Sequence, residues 1–193
     1  MSVFFDEAYK GIPPWDIGRP QKEIMRLEET GEIKGDVLDV GCGTGENVLF
    51  LAERGHTVWG ADFAPRAILK AKAKANERGV KALFKTHDAL ELQDLGKKFD
   101  SVIDSGLFHT LSDSERPVFE RSLSLALKPG GTYFMLCFSD REPGFWGPRR
   151  ITQAEIRETF GKGWKINYIR EANFSSNLGF EKIWAWLSSI TRL

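Results

Sequence analysis

The stretch Asp39-Val40-Gly41-Cys42-Gly43-Thr44-Gly45-Glu46 carries the clearest chemical signal in this chain. Its glycines permit a tight turn and let backbone N–H groups approach a ligand with no Cβ in the way. A dinucleotide fingerprint, G-x-G-x-x-G, would set a pyrophosphate on the positive end of the following helix. Here the third glycine comes one residue early, and Glu46 stands where a carboxylate repels phosphate. Asp39 and Glu46 together form an acidic rim better suited to a cation.

S-adenosylmethionine has no phosphate and carries a positive sulfonium, so this rim suits it better than NAD or ATP. Asp62 follows Gly41 at the spacing of about 20 residues at which a carboxylate accepts the hydroxyls of an adenosine ribose. Phe63 then offers an aromatic face or edge to the adenine. Asp88, with Ala89 beside it, is placed either to accept from the adenine amino group or to cap a helix. Beyond the next apolar run, Ser105 stands beside the donor, and Phe108 and His109 point to the acceptor side. His109 is the candidate general base, needed for a phenol but not for a thiol or a halide. Phe145 and Trp146, in a long irregular stretch, are expected with Phe108 to wall an apolar acceptor pocket.

Alternating strands and helices position these residues. Strands are expected at 36–40, 57–61, 81–86, 99–104, 132–138, 164–170 and 180–187. Helices are expected from Pro20 to Gly31, over 46–54 and 65–78, after a capping box of Ser112 with Glu115, and after a second of Thr152 with Glu155. Helical crossovers imply a parallel sheet covered on both faces, and the two final strands, with no helix between them, imply an antiparallel pair. The expectation is a doubly wound α/β fold of about seven strands.

The 193 residues suit a single domain, and Lys+Arg 27 balance Asp+Glu 27, so no global charge recruits nucleic acid or an anionic membrane. The basic run Arg66, Lys70, Lys72, Lys74, Arg78 reads as a solvated helix face. No apolar run spans a bilayer and no signal peptide is visible, so a cytoplasmic location is expected. Cys42 and Cys137 form no C-x-x-C pair, so no metal site is expected. The assembly expected is a monomer or weak homodimer, with Trp184 and Trp186 in the last strand either packed on the sheet or marking an interface.

The glycine loop, Asp62, Asp88 and the turn Pro129-Gly130-Gly131 together resemble the class I S-adenosylmethionine-dependent methyltransferases over residues 36–138. That resemblance implies a Rossmann-like seven-stranded sheet with its last strand antiparallel. It implies that Asp39 and the backbone of Gly41, Cys42 and Gly43 lie near the amino-acid part of the donor, Asp62 at the ribose, and Asp88 and Ala89 at the adenine. The segment Pro14-Trp15-Asp16-Ile17-Gly18-Arg19 is similar to the start of the thiopurine, thiol and halide methyltransferases. There it implies a lid, with Trp15 packed on the donor and Arg19 meeting its carboxylate. The expected layout is a lid and helix over 1–31, a donor-binding core over 32–138, and an acceptor loop with final strands over 139–193. S-adenosyl-L-homocysteine would be the product of in-line methyl transfer to a small-molecule thiol, halide, phenolic oxygen or heterocyclic nitrogen. A dinucleotide-dependent reductase, a donor-binding regulatory domain and a macromolecular methyltransferase are the rivals.

Overall fold

The computed structural model describes residues 2–180 and 182–193. Seven strands form one sheet: β1 (Asp36–Val40), β2 (Thr57–Asp62), β3 (Leu83–Thr86), β4 (Phe99–Ser105), β5 (Leu127–Phe138), β6 (Trp164–Asn173) and β7 (Trp184–Arg192). Their order is β3-β2-β1-β4-β5-β7-β6. Every pair from β3 to β5 is parallel, while β7 inserts between β5 and β6 and runs antiparallel to both. This is the expected doubly wound architecture.

Six α-helices accompany the sheet among the described residues: α1 (Ser2–Ala8), α2 (Lys22–Glu29), α3 (Glu46–Glu53), α4 (Pro65–Arg78), α5 (Glu115–Ala126) and α6 (Gln153–Thr159). Successive strand residues face opposite sides, so β1 feeds two cores. Val37 packs with Leu49 and Ile68 on one face, and Leu38 with Phe119 and Leu123 on the other. Both faces are covered, which is why Val37, Leu38 and Val40 of β1 are all buried although they face opposite sides. Chain order reverses between β1 and β4, and open α/β sheets bind ligands in the crevice beyond the strand ends at such a point.

Several boundaries differ from the sequence expectation. The segment α1 was not anticipated; it is held to α4 by Asp6, which pairs with Arg66 and accepts its backbone N–H. The first expected helix starts at Lys22 rather than Pro20. Strand β5 begins at Leu127, because Pro129-Gly130-Gly131 is absorbed as an irregularity in its pairing with β4. Strand β7 lies four residues later at its start than the apolar pattern indicates. Ser188 and Ser189, buried in mid-strand, interrupt that pattern, whereas Phe180 belongs to a loop and stacks on Trp146 at 4.5 Å. Glu181, inside the strand expected over 180–187, lies outside the described residues, as does Met1 of the expected lid.

Both capping boxes form: Ser112 Oγ accepts from Glu115 N at 3.3 Å and Thr152 Oγ1 from Glu155 N at 3.1 Å. Cys42 and Cys137 are free and buried. No helix among the described residues is long and apolar enough to cross a membrane, and none of their His, Cys, Asp or Glu side chains cluster in a group able to hold a metal.

Candidate active site

The loop from β1 to α3 turns on three glycines of positive φ. Gly45 is the most constrained, because a Cβ there would stand 2.7 Å from the Phe84 ring, and one at Gly43 would stand 2.8 Å from the Tyr9 hydroxyl. The loop is tied to β2 by two sets of bonds. Gly41 N and Cys42 N both donate to Ala61 O, and Gly43 N donates to Asp62 Oδ2 at 2.8 Å. Asp62 Oδ1 accepts from Ala64 N, also at 2.8 Å. A carboxylate has about four lone-pair sites, so capacity for ligand hydroxyls remains.

At the end of β1, Asp39 is 1% exposed, and both its carboxylate oxygens are buried without a hydrogen-bond partner. Burial, and then the charges of Asp104 and Asp62, push its carboxyl well above the usual range; Asn47 eases this without closing a bond. A buried anion left in this state is costly unless a cationic group meets it.

A cavity of about 1010 Å³ opens over this loop. It reaches the upper end of the roughly 300–1,000 Å³ usual for small-molecule sites. Its walls include Trp15, Arg19, Gly41, Cys42 and Gly43, together with Asp62, Phe63, Asp88 and Ala89. Trp15 is fixed by Tyr9, whose hydroxyl accepts its Nε1–H at 2.9 Å. Asp88 also caps its own turn by accepting from Leu90 N, so the two readings of that residue coexist. Ser105 lines the same cavity with its hydroxyl unpartnered, as do His109 and Trp146 with their rings.

Five expectations are corrected. Phe108 is fully buried and packs on Phe119 and Phe160, so it belongs to the core, and Leu107 takes its place on the wall. Phe145 is fully exposed and lines nothing; Phe138 and Phe174 supply the aromatic walls instead. Glu46 is no bare acidic rim. Burial opposes its ionisation, but hydrogen bonds from Arg78 and Lys74 outweigh this and hold its carboxyl below the usual range. The basic side of α4 is therefore partly paired rather than solvated. Asp39 is not part of the cavity wall.

His109 cannot serve as the expected base. Its Nδ1 accepts the Phe138 N–H at 3.1 Å, and burial, with Arg150 nearby, pushes its pKa down to about 3. The ring is therefore neutral with its proton on Nε2, and its one basic nitrogen is already used. The placement follows from Asp104, which accepts from Leu107 N, Phe108 N and the Tyr133 hydroxyl and so folds the turn after β4.

A roof closes the cavity from two distant parts of the chain. Pro14 O accepts from Asn177 N and Ser176 Oγ, and Asp16 O accepts from Asn177 Nδ2. Gln21 brackets Ser175, donating to its carbonyl at 2.9 Å and accepting its N–H at 3.0 Å. Asp16 also receives the Thr44 hydroxyl at 2.7 Å, which joins the roof to the glycine loop. The Asn/Ser stretch around 175–177 reads in sequence as a spacer, so its role had no signal beyond polarity.

Comparison with known proteins agrees with this geometry. Residues 37–131 match the methyltransferase domain family. A 2-heptyl-1-hydroxyquinolin-4(1H)-one methyltransferase of Mycobacteroides abscessus is 39% identical over 188 residues, which cover 92% of this chain and 83% of the relative. The chain belongs to the S-adenosylmethionine-dependent methyltransferases. Another relative of this methyltransferase, a probable thiol methyltransferase 2 of Arabidopsis thaliana, is 28% identical and covers 94% of the chain and 82% of its own length. A structure solved for the conversion of a disulfide bond into a thioacetal group during echinomycin biosynthesis superposes with a TM-score of 0.91. It is 36% identical and covers 100% of this chain and 93% of its own.

The methyltransferase thus uses S-adenosylmethionine as donor and acts on small molecules. Its residues fit that donor. The orphaned Asp39 carboxylate, set behind the glycine loop, favours a cationic group such as the donor's ammonium nearby, and the remaining acceptor capacity of Asp62 suits the donor's ribose hydroxyls.

Proposed function

We propose that this methyltransferase acts on the ionised oxygen or sulfur of a flat, largely apolar small molecule. The observation that carries the reading is the acceptor end of the cavity. Phe138, Phe174 and Trp146 wall it, with Phe138 centred 5.2 Å from Phe174 and 5.6 Å from Trp146. The one imidazole on that wall is neutral and has no basic nitrogen to spare. An acceptor must then ionise by itself, as a thiol does near its free pKa of about 8.5 and as an acidic hydroxyl does more readily still. The names of the relatives, one acting on a hydroxyquinolone and one a probable thiol methyltransferase, support the same two atoms. Three aromatic rings are more surface than a halide needs.

Bound S-adenosylmethionine supplies a methyl group on a cationic sulfur, which leaves with the bonding electron pair. The chain's own residues bind, align and dry the reactants. The negative charge of Asp39 behind the loop would favour the ammonium, while the backbone of Gly41, Cys42 and Gly43 would meet the amino-acid part, and Arg19 the carboxylate. Asp62 would take the ribose hydroxyls, Phe63 the adenine face, and Asp88 with Ala89 the adenine edge. Trp15 would cover the donor as part of a lid over 1–31, with the core over 32–138 and the acceptor segment over 139–193. Ser105 would stand where donor and acceptor meet.

The test is S-adenosylhomocysteine release with a panel of aromatic thiols, acidic phenols, N-hydroxy heterocycles, iodide and pyridines. Turnover confined to the first three classes is expected. Preferred turnover of iodide or of pyridines would overturn the reading.

A further inference from the structure

The neutral tautomer that removes His109 as a base gives it another use. With Nδ1 accepting the Phe138 N–H, the ring proton is on Nε2. Nε2 has no protein partner among the described residues, is not among the buried unpartnered atoms, and belongs to a side chain on the cavity wall. It is therefore an N–H donor open to the cavity. The ring cannot swing away easily, because it sits edge-on to Phe138 with centroids 5.0 Å apart and 5.9 Å from Phe174.

One unneutralised charge stands nearby. Arg150 lies over the Phe138 and Trp146 rings at 5.4 and 5.3 Å, and its guanidinium donates to the carbonyls of Glu142 and Pro148. No carboxylate pairs with it among the described residues. Arg150 stands behind the Phe138 and Trp146 rings rather than on the cavity wall, and of the charged groups on that wall Glu115 is engaged with Ser112, and Arg149 with Asp113 and Glu155.

We propose that His109 is a catalytic hydrogen-bond donor whose Nε2–H binds the ionised acceptor atom, and that Arg150 supplies the positive field which makes the anion the preferred form. The inference rests on the acceptor class proposed above and adds the residue that selects it. The acceptor's proton goes to solvent, its lone pair forms the new bond to the methyl carbon, and the pair of the broken carbon–sulfur bond stays with the departing sulfur. A donor fixed in a water-poor site stabilises an anion far better than one in water, since nothing need reorganise. It also holds the attacking atom in line. Burial, and then the charge of Arg150, oppose protonation of the imidazole and keep so well placed a donor from becoming a cation.

The experiment uses the intact protein loaded with S-adenosylhomocysteine, so that no turnover occurs, and 4-nitrophenol as a probe whose anion absorbs in the visible. Titration with pH should show the bound phenol ionising about one pH unit below the free phenol, a roughly tenfold preference for the anion. His109→Phe should remove most of that shift, leaving only what the Arg150 field supplies, while nitrobenzene binds as before. His109→Gln, which restores an N–H, should recover part of it.

A shift that persists undiminished in folded H109F overturns the proposal and leaves the methyl-transfer reading intact. Failure of the wild-type protein to bind any aromatic acceptor overturns both. Should H109F not fold, the Nε2–H proton resonance of the wild-type protein decides the matter. It should move downfield on phenolate binding, and an unmoved resonance overturns the proposal.

Discussion

Gly43 and Asp62 are joined across the floor of the cavity by a 2.8 Å hydrogen bond from the glycine N–H to the carboxylate Oδ2. One side chain thus fixes the curvature of the glycine loop and presents oxygens to the ligand it shapes. Asp62→Ala removes both. Hydrogen bonds to a charged group contribute about 1.5–3 kcal/mol, so donor affinity should fall roughly 10- to 100-fold. Calorimetric titration with S-adenosylhomocysteine measures this, and an unchanged affinity would contradict the assignment.

The orphaned carboxylate of Asp39 makes a prediction of two opposite signs. Its carboxyl is harder to ionise in the fold than in the unfolded chain, where the pKa is about 3.9. The group therefore costs stability increasingly as pH rises above that value. Asp39→Asn should raise the Tm at pH 7 without ligand and lower it relative to wild type at saturating donor. A variant less stable than wild type in both conditions would show that Asp39 acts structurally.

Glu155 behaves in the contrary way. Burial opposes its ionisation, but the Thr152 N–H and the Arg116 guanidinium outweigh this and hold its pKa at about 2. Its folded value lies below the unfolded one of about 4.3, so its contribution is full above that pH and is lost as pH falls through about 2. Glu155→Gln should cost about 1–3 kcal/mol at pH 7, and the deficit should shrink as pH is lowered. Chemical denaturation at pH 7 and pH 3 is the comparison, and an equal deficit at both would refute it.

Most of the fold was legible because its strands and helices are bounded by local signals. The glycine after α4 and the two capping boxes act within a few residues of where they stand, and all of them formed. The site was legible where the backbone does the binding, as at Gly41 to Gly43. It was misread where two side chains of one type differ only in which way the turn aims them. Phe108 and Phe174 are both phenylalanines just past a strand, yet Asp104 folds the first into the core, and the second reaches the cavity. Asp104 stands only four residues before Phe108, but its role is not legible there, because its carboxylate is oriented by the hydroxyl of Tyr133 on another strand. The same applies to His109, whose tautomer is set by a backbone amide on β5.

Cutting the bracket between Gln21 and Ser175 should loosen the roof without touching the donor's binding groups. Gln21→Ala removes two neutral hydrogen bonds worth about 1 kcal/mol each. Donor dissociation should quicken by roughly 5- to 30-fold, with little change in association. Stopped-flow fluorescence from Trp15 follows both rates, and an unaltered dissociation rate would show that the bracket is not part of the gate.

Gln21 and Ser175 also lie 154 positions apart. Contacts of that span form late, because the intervening chain must be ordered before they add any stability. During synthesis the floor of the site, from β1 to β5, emerges well before its roof, so a folding intermediate able to grip the cofactor would still leave it open to water. Protection of the sulfonium is thus a property of the finished protein alone. Amide exchange in segments 14–21 and 174–178 should report a shared opening event, cheaper than unfolding the sheet beneath it.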